Sequence, residues 1–249
     1  IEMSIDWMWF DAAGYIGVFK TSLIARVGLF AAGFALAAMF LRLNIRHALT
    51  SHPIQPNAFR LVSGELMIDP NRVAGLLGLL GWVVTLLPAL VFGLIASSLW
   101  LDVLSFVERV PFGTTEPVFG RDVSFYVFEL PILTSARSIL TGMVVISLLA
   151  SGVYYLFHQS TMGTGPEPLS EKARKHLFFL GGLLFLLVGF GWWLDRFDLL
   201  FQRSGAVWGV GYTDEHARLP AFAAMAVISV VAAGAMFSST RDGALKRPV

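Results

Sequence analysis

VAGLLGLLGWVVTLLPALVFGLIASSLW, residues 73 to 100, contains no charged side chain. A helix needs about 20 apolar residues to cross the hydrocarbon core of a bilayer, so this stretch is long enough. A soluble core of this chain's length has no place for such a run. Four more runs resemble it, at about 22–43, 138–157, 177–194 and 219–239. With no water to satisfy exposed N–H and C=O groups, runs of this kind cross lipid as helices. The expected fold class is therefore all-α: a polytopic transmembrane helix bundle with about five spanning helices and short interfacial segments. Residues 1–21 read as an extracytoplasmic or interfacial lead-in. Residues 22–239 form the five-helix domain, and 240–249 a cytoplasmic tail or the start of a further linker.

Composition agrees. The chain has 249 residues, 56% of them hydrophobic and 14% charged, and its mean hydropathy is +0.70. Soluble domains average about 25% charged residues. A net charge of +1, with no basic block, speaks against nucleic acid as a partner. The absence of cysteine removes disulfides, thiolate metal sites and cysteine nucleophiles. The first residue is Ile1 and no signal-peptide layout follows, so the chain is expected to begin partway into a longer protein.

Five crossings put the two ends on opposite sides. The side holding the start of the chain carries eight Lys/Arg and twelve of the seventeen carboxylates; the other carries ten Lys/Arg. The positive-inside rule then makes the first side extracytoplasmic. The expected location is the bacterial cytoplasmic (inner) membrane, N-terminal end outside and C-terminal end inside. Arg26, near one end of the first run, can snorkel, and Arg42 is counted to the cytoplasmic side. Trp7, Trp9, Trp82, Trp100, Trp192 and Trp193 suit an aromatic belt. Gly28, Ala32 and Leu36 on the first helix, and Gly181, Gly182, Gly189 and Gly191 on the fourth, read as helix-packing positions.

Chemistry-bearing residues within the helices are few. Thr85, Ser97, Ser98, Thr141, Ser147, Ser151 and Ser229 suit back-bonding to the preceding turn or contacts between helices. Pro88 reads as a tolerated kink, or as a break of the kind from which some transport sites are built. His47, His52, His158, His176 and His216 all fall in loops or at helix ends, which argues against a bis-histidine haem. No cofactor is expected. Bound lipid is, and a pigment packed on aromatics stays open.

The loops carry more. LDVLSFVERVPFG, 101–113, and TEPVFGRDVSFYVFELP, 115–131, are too short to span but apolar enough to lie at the interface, the second closed by Pro131. HQSTMGTGPEP, 158–168, is a solvated turn region, after which Ser170 caps a helix beginning at Glu171. WWLDRFDLLFQRSGAVWGVGYTDEHARLP, 192–220, holds the densest polar cluster. Asp214, Glu215 and His216 are consecutive and so point apart, which disfavours a metal site; Thr213 or Asp214 capping the last helix is the simpler reading. Arg121 and Asp122 are neighbours and each needs its own partner. The expectation is a clamp between loops, Arg121 to Asp195, Asp198 or Asp214, and Asp122 to Arg196 or Arg218. No catalytic or metal-binding residue is expected.

FGRDVSFYVFELP (119–131), FDLLFQRSGAVWGVGYTDEHARLP (197–220) and DWMWFDAAGYIGVF (6–19) also resemble the bacterial uncharacterised protein family 0182. The resemblance covers nearly the whole chain. It implies a large multipass membrane protein, with one membrane helix before Ile1, one after Val249, and a large extracytoplasmic region beyond. It supplies no activity and no catalytic residue. The expectation is therefore a non-enzymatic structural or accessory subunit of a larger membrane assembly, respiratory or photosynthetic among the choices, with lipid and other membrane subunits as partners. A transporter or lipid-handling protein of the cell envelope is the alternative. A membrane enzyme built on the Asp/Glu/His/Arg cluster ranks last.

Overall fold

The structure is a computed structural model and describes residues 2–51, 70–161, 169–204 and 207–241. His52 and the linkers at 52–69 and 162–168 lie outside the described residues. Seven α-helices are present among those described: α1 (Glu2–Ala12), α2 (Ile16–Ser51), α3 (Pro70–Ser98), α4 (Trp100–Val107), α5 (Leu130–Thr161), α6 (Glu171–Asp198) and α7 (Leu219–Arg241). Five segments are long and apolar enough to cross a membrane: Ile16–Ser51, Gly75–Ser98, Phe125–Ser160, Glu171–Phe201 and Asp214–Thr240. They coincide with the five apolar runs. Pairing outside helices is slight: β1 (Arg203–Ser204) and β2 (Val207–Trp208) form a two-residue antiparallel ladder.

The helices outrun the apolar stretches at several ends. α2 continues from Leu43 to Ser51, through polar sequence that hydropathy alone assigns to a loop. The extension is amphipathic. Ile45 and Ala48 are buried while Arg46, His47 and Thr50 are exposed, the spacing of an inner and an outer helix face. Pro131 does not close the 115–131 stretch, as the sequence suggests it should. It occupies the second position of α5, but helical backbone already runs from residue 123, so Pro131 lies within a continuous helical segment and the helix passes through it. A single π-helical turn, Phe125–Glu129, leads into it. Nor does Pro88 break its helix, since α3 runs through it.

The chain divides into two compact units. The first comprises Ile1–Met39 and Thr85–Ile132. Its close contact is between α2 and the second half of α3. A Cβ placed on Gly33 would lie 2.6 Å from the Cβ of Ala96, and one on Gly93 only 3.0 Å from the Phe30 ring. Glycine at both positions lets the two backbones approach, as small residues do in membrane bundles. The guanidinium of Arg26 sits 4.8 Å from the centre of the Trp100 ring.

The second unit comprises Phe40–Val84 and Leu133–Val249. Three of the four glycines of α6 seat α7. A Cβ on Gly181 would meet Met236 at 2.7 Å, on Gly182 the Phe237 ring at 2.5 Å, and on Gly189 the Cβ of Ser229 at 3.1 Å. The fourth, Gly191, makes room for the guanidinium of Arg137 on α5, whose Nε donates to the Leu187 carbonyl at 3.4 Å. Gly28, by contrast, has nothing within 4 Å of where its Cβ would be. Ser170 caps α6 as read from the sequence, its Oγ accepting from the Ala173 N–H at 3.2 Å. The hydroxyls of Thr141 and Ser229 bond back to the carbonyls four residues earlier, Arg137 and Met225.

Candidate functional site

A largely buried polar network lies in the second unit, where α2, α5 and α6 meet. His176, in the second turn of α6, is 8% exposed, and Tyr155 on α5 is 2% exposed. The Tyr155 hydroxyl lies 2.8 Å from His176 Nδ1, and His176 Nε2 lies 3.0 Å from Asn44 Oδ1 on α2. Asn44 Nδ2 donates to the Phe40 carbonyl at 2.7 Å, which fixes the amide with its oxygen toward the histidine. An amide oxygen only accepts, so Nε2 carries the proton, and in the neutral imidazole Nδ1 is left to accept from Tyr155. The result is one directed chain, Tyr155 to His176 to Asn44 to the α2 backbone. The His47 ring meets His176 edge-on at 4.7 Å. Ala48, Tyr155 and Ala173 pack around the network as a small buried cluster.

Beside it runs a groove of about 700 Å³, walled mostly by aliphatic side chains of α2, α3 and α5, with Ser151, Tyr154 and Phe157 among those of α5. Ala48 belongs to both, lining the groove and touching the network. Arg42 lies close by. Its guanidinium stacks over Trp82 at 4.0 Å, and its Nη1 is sealed from water without a hydrogen-bond partner. Deeper in α5, the hydroxyls of Ser147 and Ser151 are fully buried and likewise lack a partner.

The residues singled out in the loops have local partners. Asp122 accepts from three backbone N–H groups: Phe112 at 3.1 Å, Gly113 at 2.9 Å and Ser124 at 2.8 Å. These bonds, with that of the Ser124 hydroxyl as the largest influence, hold its carboxyl down at about pKa 2. Arg121 lies over the Phe125 ring at 4.3 Å. Glu116, not singled out in the sequence, does similar work, accepting from Val118 N, Phe119 N and the Tyr126 hydroxyl. Gly120, at φ +65°, turns the chain between them, in the left-handed region that suits a residue without Cβ.

In the second unit, Asp214 is 5% exposed and takes the Gly211 N–H at 3.0 Å and Arg218 at 3.1 Å. The expected helix cap is therefore not made. Thr213 forms no capping bond, and the Asp214 carboxylate turns to Gly211 and Arg218 because a π-helical turn, Asp214–Arg218, precedes α7. Arg218 also donates to the Gln202 side chain at 2.9 Å. Arg196 lies over Trp193 and Phe197; Asp195 is half-buried and Asp198 exposed. Arg121 and Asp122 belong to the first unit and these residues to the second, each set with the partners just given.

Five helices long and apolar enough to cross a membrane mark a multipass membrane protein. More narrowly, the chain belongs to the Uncharacterised protein family (UPF0182), matched along residues 1–249. The UPF0182 protein of Mycobacterium tuberculosis is 34% identical over 248 residues, covering 96% of this chain and 25% of the relative. That of Pelobacter propionicus is 31% identical over 240 residues, covering 96% and 26%. That of Cupriavidus necator is 34% identical over 242 residues, covering 95% and 26%. The chain thus spans about a quarter of the length of the curated relatives it matches. No solved structure matches it.

Proposed function

We propose that this chain is a non-enzymatic membrane module that packs against further membrane segments within a larger bacterial envelope assembly. The observation that carries the reading is how little of its apolar helix surface the module covers itself. Only 6% of the apolar window of α2 and 11% of that of α7 are buried. Glycines on those helices stand open, Gly28 and Gly234 having nothing within 4 Å of a Cβ position. Open small residues on a lipid-level helix are the usual seats for another helix. Purification in mild detergent from the source membrane, with mass spectrometry of what stays bound, tests this. Membrane polypeptides at fixed stoichiometry support it; a lone protein carrying only lipid sinks it.

The orientation proposed with this reading has the N-terminal end outside and the C-terminal end inside, as the Lys/Arg count suggests. Because the chain has no cysteine, single cysteines at Thr114 and Ser160 give a clean readout. An impermeant thiol reagent added to whole cells should label the first and spare the second. The reverse pattern inverts the topology.

A second reading, lipid handling in the envelope, is favoured by the aliphatic groove. Transport of a polar solute finds less support, because the groove walls are apolar and α3 passes Pro88 without a break. Exchange of a fluorescent lipid between vesicles, accelerated by the reconstituted protein, would separate lipid handling from scaffolding.

A further inference from the structure

We infer that the groove between α2, α3 and α5 holds an anionic phospholipid, its acyl chain along the aliphatic wall and its phosphate drawn to Arg42. The inference rests on neither functional reading above, since a scaffold and a lipid carrier can each keep a resident lipid.

Arg42 is the starting point. It lies inside α2, within a segment long and apolar enough to cross the membrane. It forms no salt bridge among the described residues, and its Nη1 has no hydrogen-bond partner. The ring of Trp82 covers one face of the guanidinium. A cation–π contact offsets part of the cost of a desolvated charge, but leaves the in-plane N–H groups without an acceptor. An arginine at membrane depth calls for an anion.

Gly81 connects this cation to the groove. It lines the groove, and a Cβ placed on it would stand 3.8 Å from Arg42 Nη1, 3.3 Å from Leu49 Cδ1 and 3.4 Å from Ile45 Cγ2. Bare backbone is therefore all that α3 puts between the guanidinium and the groove at this point. A larger side chain would wall the charge off.

The walls then select the rest of the ligand. Ile45, Leu49, Leu80, Val84, Leu149 and Phe157 offer dispersion contacts and no side-chain hydrogen bonding, which suits an acyl chain; Ser151 and Tyr154 are the polar side chains of the lining. Depth agrees. The apolar run of α2 ends at Leu43, and Asn44, Arg46 and His47 follow, so Arg42 sits where hydrocarbon gives way to headgroups. Arg46, one helical turn on and exposed, adds a second cation at that level. Charge complementarity therefore favours an anionic over a zwitterionic headgroup.

The test uses the full chain in nanodiscs containing equal parts phosphatidylglycerol and phosphatidylcholine, released into the gas phase for native mass spectrometry. The wild type should retain phosphatidylglycerol over phosphatidylcholine by roughly tenfold, the size of one charge-assisted contact. Arg42→Gln should lose that preference, and Gly81→Ala, which interposes a methyl group, should reduce it. Equal retention of the two lipids by the wild type overturns the proposal on its own, whether or not Arg42→Gln folds. So does an Arg42→Gln protein with an undiminished preference. A photo-crosslinker at Leu149 must capture lipid; capture of a polypeptide means the groove seats another helix and overturns the assignment.

Discussion

Two regions use the same hydrogen-bonding vocabulary with different stakes. In the 108–124 loop, half-buried Asp122 and Glu116 gather backbone N–H groups near the surface, where water can replace the exposed bonds if they are lost. Where α2, α5 and α6 meet, buried His176 and Tyr155 bond to each other, and His176 to half-buried Asn44. A bond exchanged for water contributes about 0.5–1.5 kcal/mol, whereas a buried group stripped of its partner costs about 1–3 kcal/mol. The loop is thus shaped by its acids, while the helix junction depends on its histidine.

The largest effect should come from breaking the junction. His176→Ala removes the His176 partner of the buried Tyr155 hydroxyl and of the half-buried Asn44 carbonyl oxygen, and opens a cavity. Two lost hydrogen bonds and a cavity together imply a loss of about 2–5 kcal/mol, read as a fall in the unfolding midpoint of the detergent-solubilised protein. A midpoint close to wild type would mean that water fills the vacated site and that the junction is no more demanding than the loop.

Tyr155→Phe is a gentler cut. The ring keeps its packing against Ala48 and Ala173, and only the donor to His176 Nδ1 disappears. One orphaned acceptor should cost about 1–2 kcal/mol. The two substitutions should also be non-additive, because once His176 is gone the Tyr155–His176 bond is already lost. Additive losses would show that the two side chains act through packing and not as one chain of bonds.

The contrast also separates what could be read from the sequence from what could not. The five crossings are legible because each is a local property, an uninterrupted apolar run of sufficient length. The glycines of α6 are legible for the same reason, and three of them seat α7. Asn44 and His176 are 132 residues apart, and Tyr155 and His176 are 21 apart, so no spacing rule brings them together. Hydropathy ends the first helix at Leu43, leaving Asn44 in a loop and Arg42 on its edge. The available signal was the period of the polar stretch itself: Ile45 and Ala48 fall on one side and Arg46, His47 and Thr50 on the other, a helix continuing past the end of its apolar run. Pro131 misleads for a related reason. A proline ordinarily ends a helix, but here a π-helical turn, Phe125–Glu129, runs directly into α5 just before it and the helix continues past, which the sequence alone does not show.

The smallest effect belongs to Asp122. Its carboxyl titrates at about 2 in the folded loop, against an ordinary value of 3.8. A carboxylate whose folded pKa is depressed contributes stability that is complete above its unfolded value and disappears as pH falls through the folded one. The contribution of Asp122 is therefore whole at neutral pH, starts to decline near pH 4 and is gone below about 2. Because the residue sits half-buried in a surface loop, global unfolding should hardly register the change. Amide protection at Phe112, Gly113 and Ser124 should, since these are the donors that the carboxylate holds. Asp122→Asn keeps an oxygen acceptor but has no charge to lose, so protection at the three amides should be weaker at pH 7 and flat between pH 5 and 2. If the wild-type amides are equally flat over that range, the loop is held by its turns and not by the carboxylate. The acid would then be ornament in the loop, while the histidine at the helix junction would remain indispensable.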